Sequence, residues 1–126
     1  MLKNVIGLMS GTSMDGVDAA FLRTNGVDLI VTGISTTFPY SDSFRSELSE
    51  VVSKGLYSKN IESQITNIHA DAVKRLIKKK GDSTGPVDLI GFSGHTIFHL
   101  PDEKKTYQIG DGAMLADLTG INVVSD

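Results

Sequence analysis

Val5-Ile6-Gly7-Leu8-Met9-Ser10-Gly11-Thr12-Ser13-Met14-Asp15-Gly16-Val17-Asp18-Ala19-Ala20-Phe21-Leu22 opens the chain with an apolar run, a polar turn and a second apolar run. Val5 to Met9 is apolar without alternation, as expected of a strand buried on both faces. After the Gly/Ser/Thr turn, Val17 to Leu22 resumes a strand-like pattern. Asn25-Gly26 is a hairpin signal, because a type I′ turn needs positive φ at both central positions. A third strand is expected from about Leu29 to Phe38, with Pro39 ending it. Three antiparallel strands joined by short turns therefore begin the fold.

Two helices follow. Phe44, Leu48, Val51 and Val52 fall on one helical stripe, and Gly55 is placed to terminate it. Ile61, Ile65, Ile68, Ala72 and Leu76 keep the same spacing, with Asn60 or Ser58 as N-cap and Gly81 as the stop. Asp82 to Pro86 reads as a loop. Val87 to Phe92 reads as a buried strand brought to a parallel position by a helical crossover. A short strand from Thr106 to Ile109, a short helix from Ala113 to Leu118 and a last strand from Ile121 to Ser125 complete the chain. The strands at Val87 and Ile121 are both expected to pair parallel with the first. This α/β order, a mixed sheet of three antiparallel strands and then parallel strands with helical crossovers, resembles the ribonuclease-H-like domain of actin-like ATPases. That is a likeness of fold and says nothing of chemistry.

The 126 residues suit one domain with its own core. With 40% apolar and 21% charged residues the composition is globular, which excludes a disordered tail. Twelve Lys and Arg stand against 15 Asp and Glu, and a net charge of −3 speaks against a nucleic-acid partner, whose phosphates need a basic surface. Lys78, Lys79 and Lys80 form a basic run where the second helix should end, and there they complement its dipole as a solvated terminus. The absence of cysteine excludes disulfides, thiolate catalysis and Cys-ligated zinc. Val5 to Met9 is too short for a signal-peptide core, and no run approaches the roughly 18 apolar residues of a membrane span. A cytoplasmic protein with no membrane partner is expected.

Three segments carry candidate chemistry. In Ser10-Gly11-Thr12-Ser13-Met14-Asp15-Gly16, two glycines allow tight turning and close approach of amide N–H groups to an anion. Thr12 and Ser13 add hydroxyl donors, and Asp15 and Asp18 suit Mg²⁺ held through water. Spacing leaves a phosphate cradle and an ordinary polar hairpin equally open. Ser93-Gly94-His95-Thr96-Ile97-Phe98-His99-Leu100-Pro101 follows the carboxyl end of a buried parallel strand, where open α/β sheets bind ligands. His95 and His99 would be ~13 Å apart in extended chain, too far to share one ion, so no metal site is expected. His95 and Thr96 are candidates to hydrogen-bond a polar ligand, against the alternative of a histidine satisfied by backbone. His69 lies beside Ile65 and Ile68 and reads as packing. In Gln108-Ile109-Gly110-Asp111-Gly112, Asp111 either faces a ligand or caps the following helix.

Three better-known motifs fail here. Gly11 and Gly16 have P-loop spacing, but Val17-Asp18 stands where Lys-Ser/Thr is required. Gly11-Thr12-Ser13-Met14 looks like a subtilisin nucleophile segment, yet no Asp or His precedes Ser13. Gly110-x-Gly112 lacks the third glycine of a dinucleotide fingerprint, with Leu115 in its place.

Ile6 to Asp18 closely resembles the opening signature of the anhydro-N-acetylmuramic acid kinases. Gly94 to Pro101 resembles that family's next motif, Tyr107 to Gly112 its third, and Val123-Val124-Ser125-Asp126 the start of a fourth. The resemblance implies an actin-like sugar kinase that uses ATP and Mg²⁺ to convert 1,6-anhydro-N-acetylmuramic acid into N-acetylmuramic acid 6-phosphate in cell-wall recycling. Carried over residue by residue, Gly11, Thr12, Ser13, Met14, Asp15, Gly16, Val17 and Asp18 would form the ATP phosphate loop. His95 and Thr96 would lie in the sugar cleft with Asp111 nearby. The partner is a small sugar, and the resemblance admits a homodimer. Family members continue well beyond Asp126, through a second phosphate loop, the adenosine site and the aspartate that activates water. Residues 1–126 would then be the N-terminal part of the actin-like domain, without a catalytic base of their own. The competing expectations are a non-catalytic remnant of the same fold and an actin-like kinase for another sugar or an acyl group.

Overall fold

The computed structural model describes residues 2–10, 15–28, 30–54, 58–82, 84–100 and 105–125, without the side chains of 96–100 and 105–107. In chain order the elements are β1 (Lys3–Ser10), β2 (Gly16–Thr24), β3 (Ile30–Pro39), α1 (Asp42–Lys54), α2 (Lys59–Lys80), β4 (Leu89–Leu100), β5 (Lys105–Ile109), α3 (Gly112–Thr119) and β6 (Asn122–Ser125). The strands form one mixed sheet in the order β3-β2-β1-β4-β5, with β6 also on β4. β1 to β3 are antiparallel neighbours and β4 lies parallel to β1, as the sequence predicts.

β6 departs from expectation: it pairs parallel with β4 rather than with β1. Both edges of β1 are already taken, by β2 and by β4. The outer edge of β4 is shared end to end, with β6 along Leu89–Phe92 and β5 along the stretch from His95 to Leu100.

Asn4, Ile6, Leu8 and Ser10 are buried on one face of β1, and their register partners Phe21, Ala19 and Val17 continue that face on β2. α2 packs there with Ile61, Ile65, Ala72, Val73 and Leu76, and α1 adds Phe44 and Leu48. The apolar run of β1 is not buried on both faces as expected. The core lies on the helix side, and Met9 and Val124 on the other side remain 61% and 57% exposed.

The β2–β3 connection also differs from a two-residue type I′ turn. Thr24 pairs with Ile30, leaving a longer connection between them. Asn25 Oδ1 accepts from the N–H groups of Val27 and Asp28 at 2.9 and 3.1 Å, so the asparagine closes the turn with its side chain. Of the two N-cap candidates Ser58 is used, its Oγ accepting from Ile61 N–H, and Gly81 ends α2 at φ +74°. The expected stop at Gly55 lies outside the described residues. Lys80 is not simply solvated: its Nζ donates to the carbonyls of Gly81 and Gly85 and to Thr84 Oγ1, and sits 5.2 Å from the Phe21 ring centre. Asn4 latches the crossover back onto β1, donating from Nδ2 to the carbonyls of Thr84 and Pro86.

The register of β4 against β1 shifts between Leu8↔Phe92 and Ser10↔His95. One extra residue in β4 makes a bulge, and a bulge reverses the face to which later side chains point. His95 thereby joins Ile90 and Phe92 among the buried residues. Gly94 sits in the bulge at φ +72°, where a Cβ would lie 2.5 Å from the Ile109 carbonyl oxygen. Gly94→Ala is expected to cost about 1–3 kcal/mol through strain and overlap, read as a lower urea midpoint. An unchanged midpoint would mean that the bulge does not need glycine.

His69 packs as the sequence predicts. Its ring is buried on α2, edge-on to Phe92 at 5.0 Å, and Nδ1–H donates to the Ile65 carbonyl at 2.7 Å. Burial, outweighing that bond, lowers its pKa from 6.5 to about 4. Below its ordinary pKa the unfolded chain takes up a proton that the folded chain refuses until about pH 4. This contribution is complete above pH 6.5 and is lost as pH falls toward 4, roughly 3 kcal/mol in all. Urea unfolding near pH 5 should therefore show about 2 kcal/mol less stability than at neutral pH. His69→Leu should flatten most of that difference; the same difference in the variant would assign it to another group.

Candidate functional site

Ser10 closes β1 on a buried position, so its hydroxyl must find partners within the protein. Its Oγ lies 2.6 Å from Tyr40 Oη and 2.8 Å from His95 Nδ1. Tyr40 directly follows β3, its ring edge-on to Phe44 at 5.0 Å. Its backbone N–H donates to the Asp15 carbonyl at 2.9 Å. Burial pushes the Tyr40 phenol up to about 12 against the opposing bond with Ser10. Burial likewise holds His95 below the ordinary imidazole range, opposed by a hydrogen bond with the Ser10 backbone. At neutral pH the three groups form an uncharged hydrogen-bonded chain.

This chain lies in one row across the sheet. Ser10 pairs with Val17 on β2 and with His95 on β4, and His95 pairs with Ile109 on β5. The row joins the three segments singled out in the sequence, the first of them far along the chain from the other two.

Gly11, Thr12, Ser13 and Met14 lie outside the described residues. Asp15 and Asp18 are exposed, and Asp18 Oδ1 accepts from Thr37 Oγ1 at 2.5 Å. Gly16 is buried where a Cβ would lie 2.3 Å from the Phe38 carbonyl oxygen, so its missing side chain serves the close contact of β2 with β3. Val17 is fully buried in the core, and its backbone pairs with Ser10 on β1 and Phe38 on β3. The backbone of Thr96 pairs with Gln108, and its side chain lies outside the described residues. Asp111 caps α3, its Oδ1 accepting from Met114 N–H at 3.0 Å. Its own N–H donates to Thr66 Oγ1 at 3.0 Å, and Gly110 N–H donates to Glu62 Oε2 at 3.2 Å, so α2 fixes the third segment.

Sequence reasoning did not single out Tyr40, Glu62 or Thr66. Ser10 carried a usable signal, since it continues the every-second-residue pattern of Ile6 and Leu8 as a polar group. Tyr40, next to a proline at a strand end, carried none.

On the face away from the helices an open depression of about 530 Å³ is lined by Gly7, Met9, Asp18, Ala20, Gly91 and Ser93, among others. Gly7 pairs with Gly91, and the lack of side chains at both positions makes its floor. Asp18 lines this depression, whereas His95 belongs to the buried row. Among the described residues no three His, Cys, Asp or Glu side chains converge on a metal position.

Residues 3–126 match the family described as anhydro-N-acetylmuramic acid kinase. The anhydro-N-acetylmuramic acid kinase of Agrobacterium fabrum is 43% identical over 135 residues, covering 99% of this chain and 36% of that protein. The enzyme of the same name from Paramagnetospirillum magneticum is 45% identical over 121 residues, covering 96% of this chain and 34% of its own length. The one from Brucella canis is 43% identical with the same coverage as the first. The chain thus spans about a third of the length of the curated relatives it matches. With nearly every residue inside the match, the chain belongs to the anhydro-N-acetylmuramic acid kinase family.

Proposed function

We propose that this chain is the nucleotide-loop and sugar-rim portion of an ATP-dependent kinase that converts 1,6-anhydro-N-acetylmuramic acid into N-acetylmuramic acid 6-phosphate in cytoplasmic cell-wall recycling. The observation that carries the reading is the row Val17–Ser10–His95–Ile109, which gathers the three family-like segments at one end of the sheet. The strand order, with three antiparallel strands and then β4 parallel to β1 after a helical crossover, supports a ribonuclease-H-like, actin-like domain.

In this reading Gly11 to Asp18 hold the phosphates, and His95, Thr96 and Asp111 border the sugar. Water adds to the anomeric carbon and gives up a proton to a base outside residues 1–126, the bond from that carbon to the bridging O6 breaks, and O6 takes the γ-phosphoryl group from ATP as ADP leaves. Phosphoryl transfer depends mainly on positioning and charge stabilisation, which suits a row of fixed backbone and neutral donors. The exposed carboxylates of Asp15 and Asp18 are hard oxygen donors and fit Mg²⁺, which takes few protein ligands and keeps phosphate and water for the rest. Such an ion would supply charge neutralisation at the phosphates. The half-buried Asp111 cap fixes the segment that follows β5 and need not itself move a proton.

The intact gene product, given ATP, Mg²⁺ and the anhydro sugar, should form the 6-phosphate, detected by mass and by coupled ADP release. Absence of sugar phosphate would sink the reading, and activity only on another sugar or an acyl group would replace it. Gly11→Val should raise KM for ATP about tenfold or more, because a side chain blocks close approach of phosphate to backbone. An unchanged KM would remove that segment from the phosphate site. Residues 1–126 alone should not turn over, since general-base help of about 10²–10⁴ and enclosure of the phosphate are expected from outside them. Turnover comparable to that of the intact product would show them sufficient.

A further inference from the structure

Tyr40 touches the residues on both sides of the connection between β1 and β2. Its Oη meets Ser10, the last residue of β1, and its backbone N–H meets Asp15, the residue before β2. Ser10 passes the contact on to His95 of β4. One aromatic residue therefore binds together the first and second family-like segments.

The protons give this chain a direction. Tyr40 is buried, and among the described residues Ser10 is the partner of its hydroxyl. A buried phenol O–H that donates to nothing leaves a donor unsatisfied, which is costly. Tyr40 therefore donates to Ser10, the single Ser10 proton goes on to His95, and Nδ1 accepts it. The ring proton of His95 is then on Nε2. In the opposite direction His95 Nδ1–H would donate to Ser10 and Ser10 to Tyr40, stranding the phenol proton; with Ser10 accepting from both, its own proton would have no partner among the described residues.

We propose that Tyr40 is a positioning residue: through Ser10 it fixes His95 as the Nε2–H tautomer, and through its backbone it anchors Asp15, so that the nucleotide loop and the sugar segment share one set of anchors. The link to nucleotide and sugar rests on the kinase reading above, whereas the tautomer follows from giving every hydroxyl proton of the chain a partner. An Nε2–H group is a donor matched to a sugar oxygen; the other tautomer would offer a bare acceptor there.

The test has two independent arms, both on the intact gene product. Long-range ¹H–¹⁵N spectra of histidine-labelled protein near neutral pH, with His95 assigned through His95→Asn, should show a protonated Nε2 and an unprotonated Nδ1. Tyr40→Phe and Ser10→Ala should each convert that pattern to mixed tautomers. In the kinetic arm, Tyr40→Phe should raise KM for the sugar about tenfold while kcat falls less than about threefold, the split expected of lost positioning. Ser10→Thr, which keeps the hydroxyl, should retain most of the wild-type KM, and Ser10→Ala should not. Lys54→Ala, an exposed change at the end of α1, should leave both constants unaltered. A wild-type His95 protonated on Nδ1 overturns the proposal, as do unchanged tautomer and constants in Tyr40→Phe. The expected tautomer in a wild-type protein that does not phosphorylate the sugar would overturn the kinase reading instead, while upholding the Tyr40–Ser10–His95 anchor.

Discussion

The parallel pairing of β1 with β4 is the contact on which the other features depend. It joins residues more than 80 positions apart, such as Asn4 and Asp88, which exchange backbone and side-chain hydrogen bonds. Closing a loop of that length costs on the order of 4 kcal/mol before any contact is made. The return comes from burying Ile6, Leu8, Ile90 and Phe92 beneath α2, at roughly 1.5–3 kcal/mol for each large side chain. Once β4 lies beside β1, both edges of β1 are occupied. β6 must then join β4, and β5 is left the remaining length of that same edge.

That pairing also decides the chemistry. Without the bulge at Gly94, the alternation of β4 would carry His95 to the opposite face of the sheet from Ser10. With it, the imidazole enters the buried side and meets a hydroxyl already held by Tyr40. Each of these groups would cost about 1–3 kcal/mol if buried without a partner, so the three stand or fall together. Burial keeps them uncharged, Tyr40 by raising its pKa and His95 by lowering it. The result is a neutral, ordered hydrogen-bonded set tied through the Tyr40 backbone to Asp15, with the Asp18 carboxylate on the other face of the sheet.

The uneven cover of the sheet has a related origin. α1, α2 and α3 all pack on the side of Ile6 and Leu8. The opposite side carries small residues, Gly7, Gly91 and Ala20, between the exposed Met9 and Val124. Its apolar content explains why β1 reads as a strand buried twice over, although in this chain a single layer of helices covers it.

The sequence by itself determined the elements whose signals are local. The stripe of Ile61, Ile65, Ala72 and Leu76, the glycine stop at Gly81 and the run of β1 each follow from spacing and residue type within a few turns of chain. The three candidate segments were legible as glycine-, acid- and histidine-bearing stretches, although the second lies inside β4 rather than beyond its end, and Gly16, Gly94 and Asp111 also serve the fold. The capping role of Asp111 was legible as one of two alternatives, and only the structure shows it made. Tertiary structure alone decided the rest. The edge chosen by β6 depends on which edges remain free, and the register shift in β4 depends on contact between Gly94 and Ile109. Tyr40 reaches Ser10 and Asp15 because β3 ends in register with the start of β2, Pro39 opposite Gly16, and no local pattern around Pro39 encodes that register. Hydrogen-bond partners far apart in sequence are fixed by sheet register, and register is a property of the assembled strands.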